Sequence, residues 1–192
     1  MMRKNLACSV LLVALAVGLS GCLFETALDA NGGGTMTITT AIGKPADLDG
    51  VKKKLESPNV KVLSAELKEG AQPRGVYKIE FKDFTKLSTS DFFKGVAFTR
   101  TDGADGTKVL TTTIKHDRSS DLGDAVIERI GKEVKVVTTF PGQVVESNGT
   151  VSNGNTVTWT WPMKEFHAAR EVMMTAAYKP AAAAPTAAAT PR

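Results

Sequence analysis

The sequence predicts an α+β fold: a largely antiparallel sheet with two or three short helices. Short runs of β-branched residues alternate with polar ones, and turn-forming Asn-Gly and Asp-Gly pairs separate these runs. Helical periodicity is confined to a few short stretches. An apolar segment precedes this region and an Ala/Pro-rich segment follows it. We therefore expect one folded domain between a signal peptide and a disordered tail.

The composition of the 192 residues is that of an ordinary globular protein, with 42% hydrophobic and 23% charged side chains. It argues against whole-chain disorder, a collagen-like repeat and a multi-pass membrane protein. Two Cys and two His are too few for a disulfide framework or a histidine-rich metal site. Without Arg3 and Lys4, 22 of the 24 basic side chains remain against 20 acidic ones, and this charge of +2 is too weak to indicate nucleic-acid binding.

The N-terminal segment has the regions of an export signal in their usual order. Arg3 and Lys4 precede an apolar stretch, Leu6–Leu19, whose 14 residues would form a helix only about 21 Å long. The hydrocarbon core of a bilayer is roughly 30 Å thick, so this stretch is short for a permanent anchor. It ends in Leu19-Ser20-Gly21-Cys22, which resembles the bacterial lipoprotein signal of a leucine, two small residues and a cysteine at the cleavage site.

This resemblance implies that the peptide is cut after Gly21 and that Cys22 carries a diacylglyceryl group with fatty chains such as palmitate. The new α-amino group is then open to acylation. A thiolate is a strong nucleophile, and small neighbours let a peptidase approach the backbone. The alternatives are a plain secretory signal and an uncleaved anchor. Cys8 lies in the predicted signal peptide, so the mature chain has one cysteine and no internal disulfide.

Two lipid chains or more on Cys22 would make dissociation from a membrane negligible, because each buried methylene contributes about 0.8 kcal/mol. The predicted location is therefore membrane-anchored, outside the cytoplasm. Leu23, and not Asp, follows the cysteine. If the cell has an outer membrane, the sorting rule of this protein class places the protein on its periplasmic face.

The C-terminal segment Lys179–Arg192 is predicted to be a disordered tail. It consists mainly of Ala, interrupted by Pro180, Pro185 and Pro191, and it has no side chain able to anchor a core. The predicted organisation is thus a signal peptide over residues 1–21, a domain over residues 22–178 and a tail over residues 179–192.

Within the domain, the pattern predicts a series of short elements. The first two strands flank Asn31-Gly32-Gly33-Gly34, which is either a hairpin turn or a flexible tether. The predicted strands before the last 60 residues of the chain are Leu23–Asp29, Thr35–Ile42, Val60–Lys68, Val76–Phe84, Val96–Arg100 and Lys108–Lys115. The predicted helical segments are Pro45–Ser57, a turn over Leu87–Lys94 with Thr89 or Ser90 as its N-cap, and a short helix containing Leu122, Ala125, Val126 and Ile130.

The segment from Lys132 to Trp161 is predicted to form three strands joined by two turns. It contains Thr139-Phe140-Pro141-Gly142, Ser147-Asn148-Gly149 and Asn155-Thr156-Val157-Thr158-Trp159. With the early strand pair after Cys22, these motifs resemble the LppM-type lipoprotein domain. The resemblance covers some 30 residues well and the middle of the chain by pattern.

The LppM resemblance implies a compact α+β domain held outside the cytoplasm on a lipid or membrane anchor. It suggests lipid or glycolipid handling, and no catalytic residues carry over. The positions that stand out in the motifs are interpreted as turn and core requirements: Pro141, Gly142, Asn148, Gly149 and Trp159. After Pro162 we expect a helical turn through Phe166 and a final strand near Arg170–Tyr178, with a continuous helix as the alternative.

Val157, Trp159 and Trp161 are expected to project from one face of their strand. This face is either part of the core or an apolar surface that binds a ligand or dips into lipid, because Trp suits the boundary between dry and wet surroundings. Four more side chains could line such a groove: Met163, Phe166, Met173 and Met174.

No catalytic motif accompanies these features. The sequence lacks a G-x-S-x-G elbow, a Walker loop and an H-E-x-x-H helix, and His116 and His167 have no recognisable partner. The loop Thr101–Gly106 lacks the ligand spacing of a calcium site and suits a hairpin turn. No metal, cofactor or enzymatic activity is therefore expected.

The leading hypothesis is a non-enzymatic, lipid-anchored envelope protein that binds a lipid or another amphiphile. The alternative is a scaffold or assembly subunit that docks another envelope protein through a sheet edge or its tail. A hydrolase without a recognisable motif is a third, weaker hypothesis.

Overall fold

The computed structural model describes residues 21–44, 47–70, 72–116, 126–127 and 130–181. Eleven strands form two sheets in this part of the chain. The strands are β1 (Gly21–Leu28), β2 (Gly34–Ala41), β3 (Val60–Lys68), β4 (Arg74–Phe81), β5 (Val96–Asp102), β6 (Lys108–Lys115), β7 (Glu133–Thr139), β8 (Gly142–Ser147), β9 (Thr150–Ser152), β10 (Thr156–Pro162) and β11 (Glu171–Pro180). The helices are α1 (Asp47–Leu55), α2 (Met163–Ala168) and two 3₁₀ segments, Phe84–Thr89 and Asp91–Phe93.

Seven strands form the first sheet, in the order β3-β4-β2-β1-β7-β10-β9, and four form the second, in the order β5-β6-β11-β8. β1 pairs with β7 in parallel, and the other strand pairs are antiparallel. The main apolar cluster takes residues from both sheets, so the core lies between them. The α+β class with a largely antiparallel sheet is confirmed.

Strand alternation explains why the first sheet buries one face. In β4, Tyr77, Ile79 and Phe81 are buried, whereas Lys78 and Glu80 between them are exposed. Successive side chains of a strand point to opposite faces, so the apolar set faces the core and the charged set faces water. The predicted bounds Val60–Lys68 of β3 are confirmed.

The segment after β1 is a hairpin turn and not a tether. Asp29 Oδ1 accepts hydrogen bonds from the backbone N–H groups of Asn31 and Gly33, at 2.7 and 3.0 Å. Gly32 has φ +91°, a conformation that glycine adopts at little cost. β1 and β2 pair from Leu23 with Thr39 to Leu28 with Gly34. The first strand consequently begins at Gly21, with Cys22 inside it.

Several predicted boundaries are corrected. The segment Lys132–Trp161 contains four strands and not three, because the short β9 forms beside β10. β8 does not belong to the first sheet and pairs with β11 in the second. This pairing joins residues far apart in the chain, so no local sequence pattern predicts it. β11 continues through Lys179 and Pro180, which lie opposite Gln143 and Gly142, so the ordered chain extends into the predicted tail. Residues 182–192 lie outside the described part.

The helical predictions have mixed outcomes. α1 lies within its predicted segment, α2 begins after Pro162 as predicted but continues two residues beyond Phe166, to Ala168, and a strand follows α2 as expected. The predicted turn near Leu87–Lys94 begins earlier, because Asp83 caps the first 3₁₀ segment by accepting from the Thr85 N–H. Most of the predicted helix from Leu122 to Ile130 lies outside the described residues. None of the helices in the described part is long and apolar enough to cross a membrane.

The loop between β5 and β6 is a hairpin turn, as predicted. The carboxylate of Asp105 accepts hydrogen bonds from the backbone N–H and the hydroxyl of Thr107, at 3.1 and 2.8 Å. Within the described ranges, no group of three His, Cys, Asp or Glu side chains could hold a metal ion.

Candidate functional site

An apolar cavity of about 450 Å³ lies between the two sheets. This volume falls in the range of about 300–1,000 Å³ that is typical of small-molecule sites. The lining is built mainly from aliphatic and aromatic side chains, with a few threonine hydroxyls. Such a lining offers little to a charged ligand and suits an apolar chain.

The first sheet supplies one wall of the cavity through strict alternation. Cys22, Phe24 and Thr26 of β1 face it, and Val134, Val136 and Thr138 of β7 lie beside them in register. Because the two strands are parallel neighbours, the six side chains form two adjacent rows on one face. The second sheet supplies part of the opposite wall, including Leu110, Thr112 and Met174.

A cluster of phenylalanines closes one side of the cavity. Phe84 contacts Phe98 edge to face, with ring centroids 5.1 Å apart, and Phe93 contacts Phe98 at 5.7 Å. Phe92 packs against Phe93 at 5.0 Å. Each such aromatic pair stabilises the fold by about 0.5–1.5 kcal/mol beyond the effect of its buried area. These contacts therefore hold the phenylalanine wall in place. Sequence reasoning missed these residues, although five of the eight phenylalanines fall between residues 81 and 98.

The predicted face of Val157, Trp159 and Trp161 is only partly a cavity wall. All three lie on the inner face of β10, but only Trp159 lines the cavity. Val157 is fully buried in the core. Trp161 packs against the core and against Phe166, with ring centroids 5.8 Å apart. Of the three predicted residues, the structure thus brings only Trp159 to the cavity, and ligand binding by this face stays a prediction.

The other predicted groove residues divide in the same way. Met163, Phe166 and Met174 line the cavity. Met173 does not, and its side chain is 50% exposed. Met173 and Met174 are consecutive residues of β11, so their side chains point to opposite faces of the strand.

The corner near Asn148 joins the two sheets. Asn148 Oδ1 accepts from Trp159 Nε1 at 2.8 Å and from the Thr175 N–H at 2.9 Å, and Asn148 Nδ2 donates to Met173 O at 2.9 Å. A Cβ on Gly149 would lie only 2.7 Å from Trp159 Nε1 and from Val157 Cγ1. The motif residues Asn148, Gly149 and Trp159 therefore have the structural roles predicted for them.

Among the residues that line the cavity, His167 is exposed and Cys22 is half-buried, and we infer from this exposure that the cavity opens near them. We call this region, formed by Cys22, Ile130, Met163, Phe166 and His167, the mouth. The Cys22 Sγ lies 3.7 Å from Thr40 Oγ1 on the cavity side of β1. The predicted lipidation residue, Cys22, and the predicted groove residues Met163 and Phe166 are far apart in the sequence, but they line the same cavity.

The two histidines are not isolated, contrary to the expectation from sequence. The rings of His116 and His167 stack with centroids 5.6 Å apart, and His116 Nδ1 lies 3.0 Å from Ala169 O. Partial burial, and then the neighbouring His116, lower the pKa of His167. A lowered pKa keeps this imidazole neutral near pH 7, which suits the rim of an apolar cavity.

A family model for the LppM domain matches residues 75–172, which is 98 of the 192 residues. The chain belongs to the LppM domain family. The matched stretch begins at Gly75, so β1 to β3 lie outside it. Membership in this family confirms the predicted family and supports the interpretation of the protein as a lipoprotein.

The NMR structure of the Mycobacterium tuberculosis LppM protein folded domain is similar to this chain, with a TM-score of 0.53 and 15% sequence identity. The alignment covers 93% of this chain and 96% of that chain, so the likeness in fold extends beyond residues 75–172. No curated protein matches the chain.

Proposed function

We propose that this protein is a non-enzymatic lipoprotein, anchored to a membrane of the cell envelope through Cys22, that holds an apolar chain of a lipid or other amphiphile. The observation that carries the proposal is the open apolar cavity between the sheets. A water-filled cavity with such walls is unfavourable, whereas burying apolar surface of a chain there contributes about 25 cal/mol per Å².

The position of Cys22 supports a membrane lipid as the source of that chain. Cys22 lines the cavity at its mouth, and the lipid anchor predicted for this residue would bring the mouth to the bilayer. A chain could then pass from the bilayer into the cavity over a short apolar path that includes Met163 and Phe166. The location follows from the same anchor: outside the cytoplasm, and on the periplasmic face of the outer membrane in a diderm cell.

The two tryptophans provide a direct test, because Trp159 lines the cavity and Trp161 does not. The full-length lipoprotein is placed in vesicles of unlabelled phospholipid and titrated with a fatty acid brominated at mid-chain. In the Trp161→Phe variant, we expect saturable quenching of Trp159 fluorescence. The matched Trp159→Phe variant, checked for folding by circular dichroism, should show much weaker quenching of Trp161. Equal and non-saturable quenching of both, or none of Trp159, would contradict the proposal.

A second candidate function is a scaffold that docks another envelope protein. Two strands that are consecutive in the chain, β8 and β9, end the second and the first sheet respectively. Each carries an exposed valine, Val145 at 51% and Val151 at 45%. Exposed strand edges are templates for pairing with another chain.

Photo-crosslinking residues placed at positions 145 and 151 in growing cells test the scaffold function. A single reproducible partner at both positions, absent when the residue is placed at Leu63 on β3, would favour it. Scattered adducts at all three positions would reject it. Leu63 is a suitable control because it is 45% exposed and lies on the opposite edge of the first sheet.

A further inference from the structure

A buried arginine holds the backbone just before Cys22. Arg74, the first residue of β4, is 7% exposed. Its Nη1 donates to Gly21 O at 2.5 Å and to Ile130 O at 3.0 Å, and its Nη2 donates to Gln72 Oε1 at 3.0 Å. One guanidinium therefore ties β1, the segment before β7 and the residue Gln72 just ahead of β4 together at the mouth.

Cleavage at the predicted site would remove one of these acceptors. Hydrolysis of the Gly21–Cys22 peptide bond takes away the Gly21 carbonyl and leaves the α-amino group of Cys22 in its place. That amine is largely protonated at neutral pH, with an ordinary pKa of about 8. A buried guanidinium would then face a neighbouring cation and lack a hydrogen-bond partner, and both effects are unfavourable.

Acylation of the same amine restores the acceptor. An amide is planar and trans, so the carbonyl of an N-acyl group on Cys22 takes the position of the Gly21 carbonyl. The second carbon of the acyl chain takes the position of the Gly21 Cα. A Cβ at that point would run into the carbonyl oxygen of Glu133. The space therefore admits an unbranched methylene, which is what a straight fatty chain supplies.

We propose that Arg74 is the receptor for the amide carbonyl of an N-acylated Cys22. The acyl donor is an ester of a membrane phospholipid. Its carbonyl carbon forms the amide bond to the Cys22 nitrogen, the ester C–O bond breaks, and an N–H proton goes to the departing glycerol oxygen, which leaves as a hydroxyl group of the lysophospholipid. The proposal rests on the lipid anchor at Cys22 and is independent of whether the cavity holds a second lipid.

This contact fixes the lipid-bearing residue within the fold. Cys22 stays in β1 opposite Val134 of β7, with its sulfur on the cavity side beside Thr40. The diacylglyceryl group then starts at the mouth, and the amide-linked chain leaves along the direction of the removed Gly21. A free amine would release this end of β1 and loosen the anchor from the domain.

Thermal unfolding of the wild-type and Arg74→Gln proteins, each with and without N-acylation of Cys22, tests the contact. The full precursor is expressed in bacterial hosts with and without lipoprotein N-acyltransferase, and the state of Cys22 is verified by mass spectrometry of the mature protein in detergent. We expect N-acylation to raise the Tm of the wild-type protein by about 4–8 °C. In Arg74→Gln the same modification should change Tm by less than about 2 °C. Arg100→Gln, an exposed arginine on β5, should behave like wild type.

An equal rise in wild type and Arg74→Gln, or no rise in either, would overturn the proposal. If Arg74→Gln does not fold, hydrogen exchange of the wild-type protein decides. The amides of β1 from Leu23 to Ala27 should exchange at least tenfold more slowly in the N-acylated form, whereas equal exchange rates would overturn the proposal. Lipid in the cavity would stabilise the N-acylated and free-amine forms alike, so the differences in Tm and in exchange rate between the two forms do not depend on it. Failure of the proposed function and failure of this contact are therefore distinguishable.

Discussion

The corner at Asn148 and the mouth at Cys22 are built in opposite ways. At the corner, the amide side chain of Asn148 makes three hydrogen bonds of 2.8–2.9 Å. The next residue is Gly149, and a larger residue there would clash with Trp159 and Val157. At the mouth, apolar side chains line the cavity beside Cys22, together with His167, whose ring stacks on that of His116. Directional hydrogen bonds of one side chain fix the geometry of the corner. At the mouth, the hydrogen bonds of Arg74 hold the backbone, and the cavity wall itself is defined by shape and polarity.

The LppM motif residues and most of the residues around the cavity therefore occupy different regions of this fold. The motif residues of the corner join the two sheets and so create the space between them. Most of the residues that would select a ligand, in β1, the phenylalanine cluster and α2, lie outside the LppM motifs, although Phe140 and Trp159 of those motifs also line the cavity. We therefore expect substitutions at the corner to reduce stability and substitutions around the cavity to change what it holds.

Asn148→Ala should give the largest loss of stability. It removes three hydrogen bonds and leaves Trp159 Nε1 without its partner, so the free energy of unfolding should fall by about 3 kcal/mol. Chemical denaturation followed by circular dichroism measures the loss. Asn31→Ala, in an exposed turn, is the control and should stay within about 0.5 kcal/mol of wild type. A similar small effect at Asn148 would contradict its role as the joint between the sheets.

Gly149→Ala should have the next largest effect. The new methyl group would lie 2.7 Å from Trp159 Nε1 and Val157 Cγ1, and overpacking of this kind costs about 1–3 kcal/mol. Gly50→Ala is a matched control, because Gly50 lies in α1 with nothing within 4 Å of the added carbon. It should be neutral or stabilise the protein by up to about 1 kcal/mol. Equal Tm values for the two variants would show that the corner is not tightly packed.

The pH dependence of the mouth should be the smallest effect. Burial, and then His116, lower the pKa of His167 below the unfolded value of about 6.5. The unfolded chain thus binds more protons as pH falls through 6.5, so stability is full above this pH and decreases below it. Thermal unfolding between pH 7.5 and 5 should show a smaller decrease for His167→Gln than for wild type. Parallel curves would mean that His167 titrates normally.

Local patterns predicted much of the fold. The bounds of β3, the turn after Asp29 and the order of α2 and β11 follow from alternation and turn chemistry, which act over a few residues. The pairing of β8 with β11 in the second sheet, including that of Lys179 and Pro180, could not be predicted, because the paired residues are 29 to 38 positions apart in the chain. Alternation located Trp159 on an inner face but did not distinguish core from cavity.

The mouth was the least predictable region. Cys22 was singled out by a motif that a processing enzyme reads, which says nothing about the tertiary position of the residue. His116 and His167 meet only because β6 and α2 place them together. The phenylalanine cluster was visible as a concentration of aromatic residues, but its role as a cavity wall required the fold.

Filling the cavity tests the central claim most directly. Val136 faces the cavity, and the next residue of β7, Val137, points to the other face of the sheet. The full-length wild-type, Val136→Trp and Val137→Trp proteins are placed in vesicles that contain a phospholipid with a photoreactive group at mid-chain, and adducts are mapped by mass spectrometry. We predict adducts at Thr112 and Met174 in wild type and Val137→Trp, reduced at least tenfold in Val136→Trp. Equal adduct levels in all three proteins, or no adducts inside the cavity of the wild type, would contradict the account.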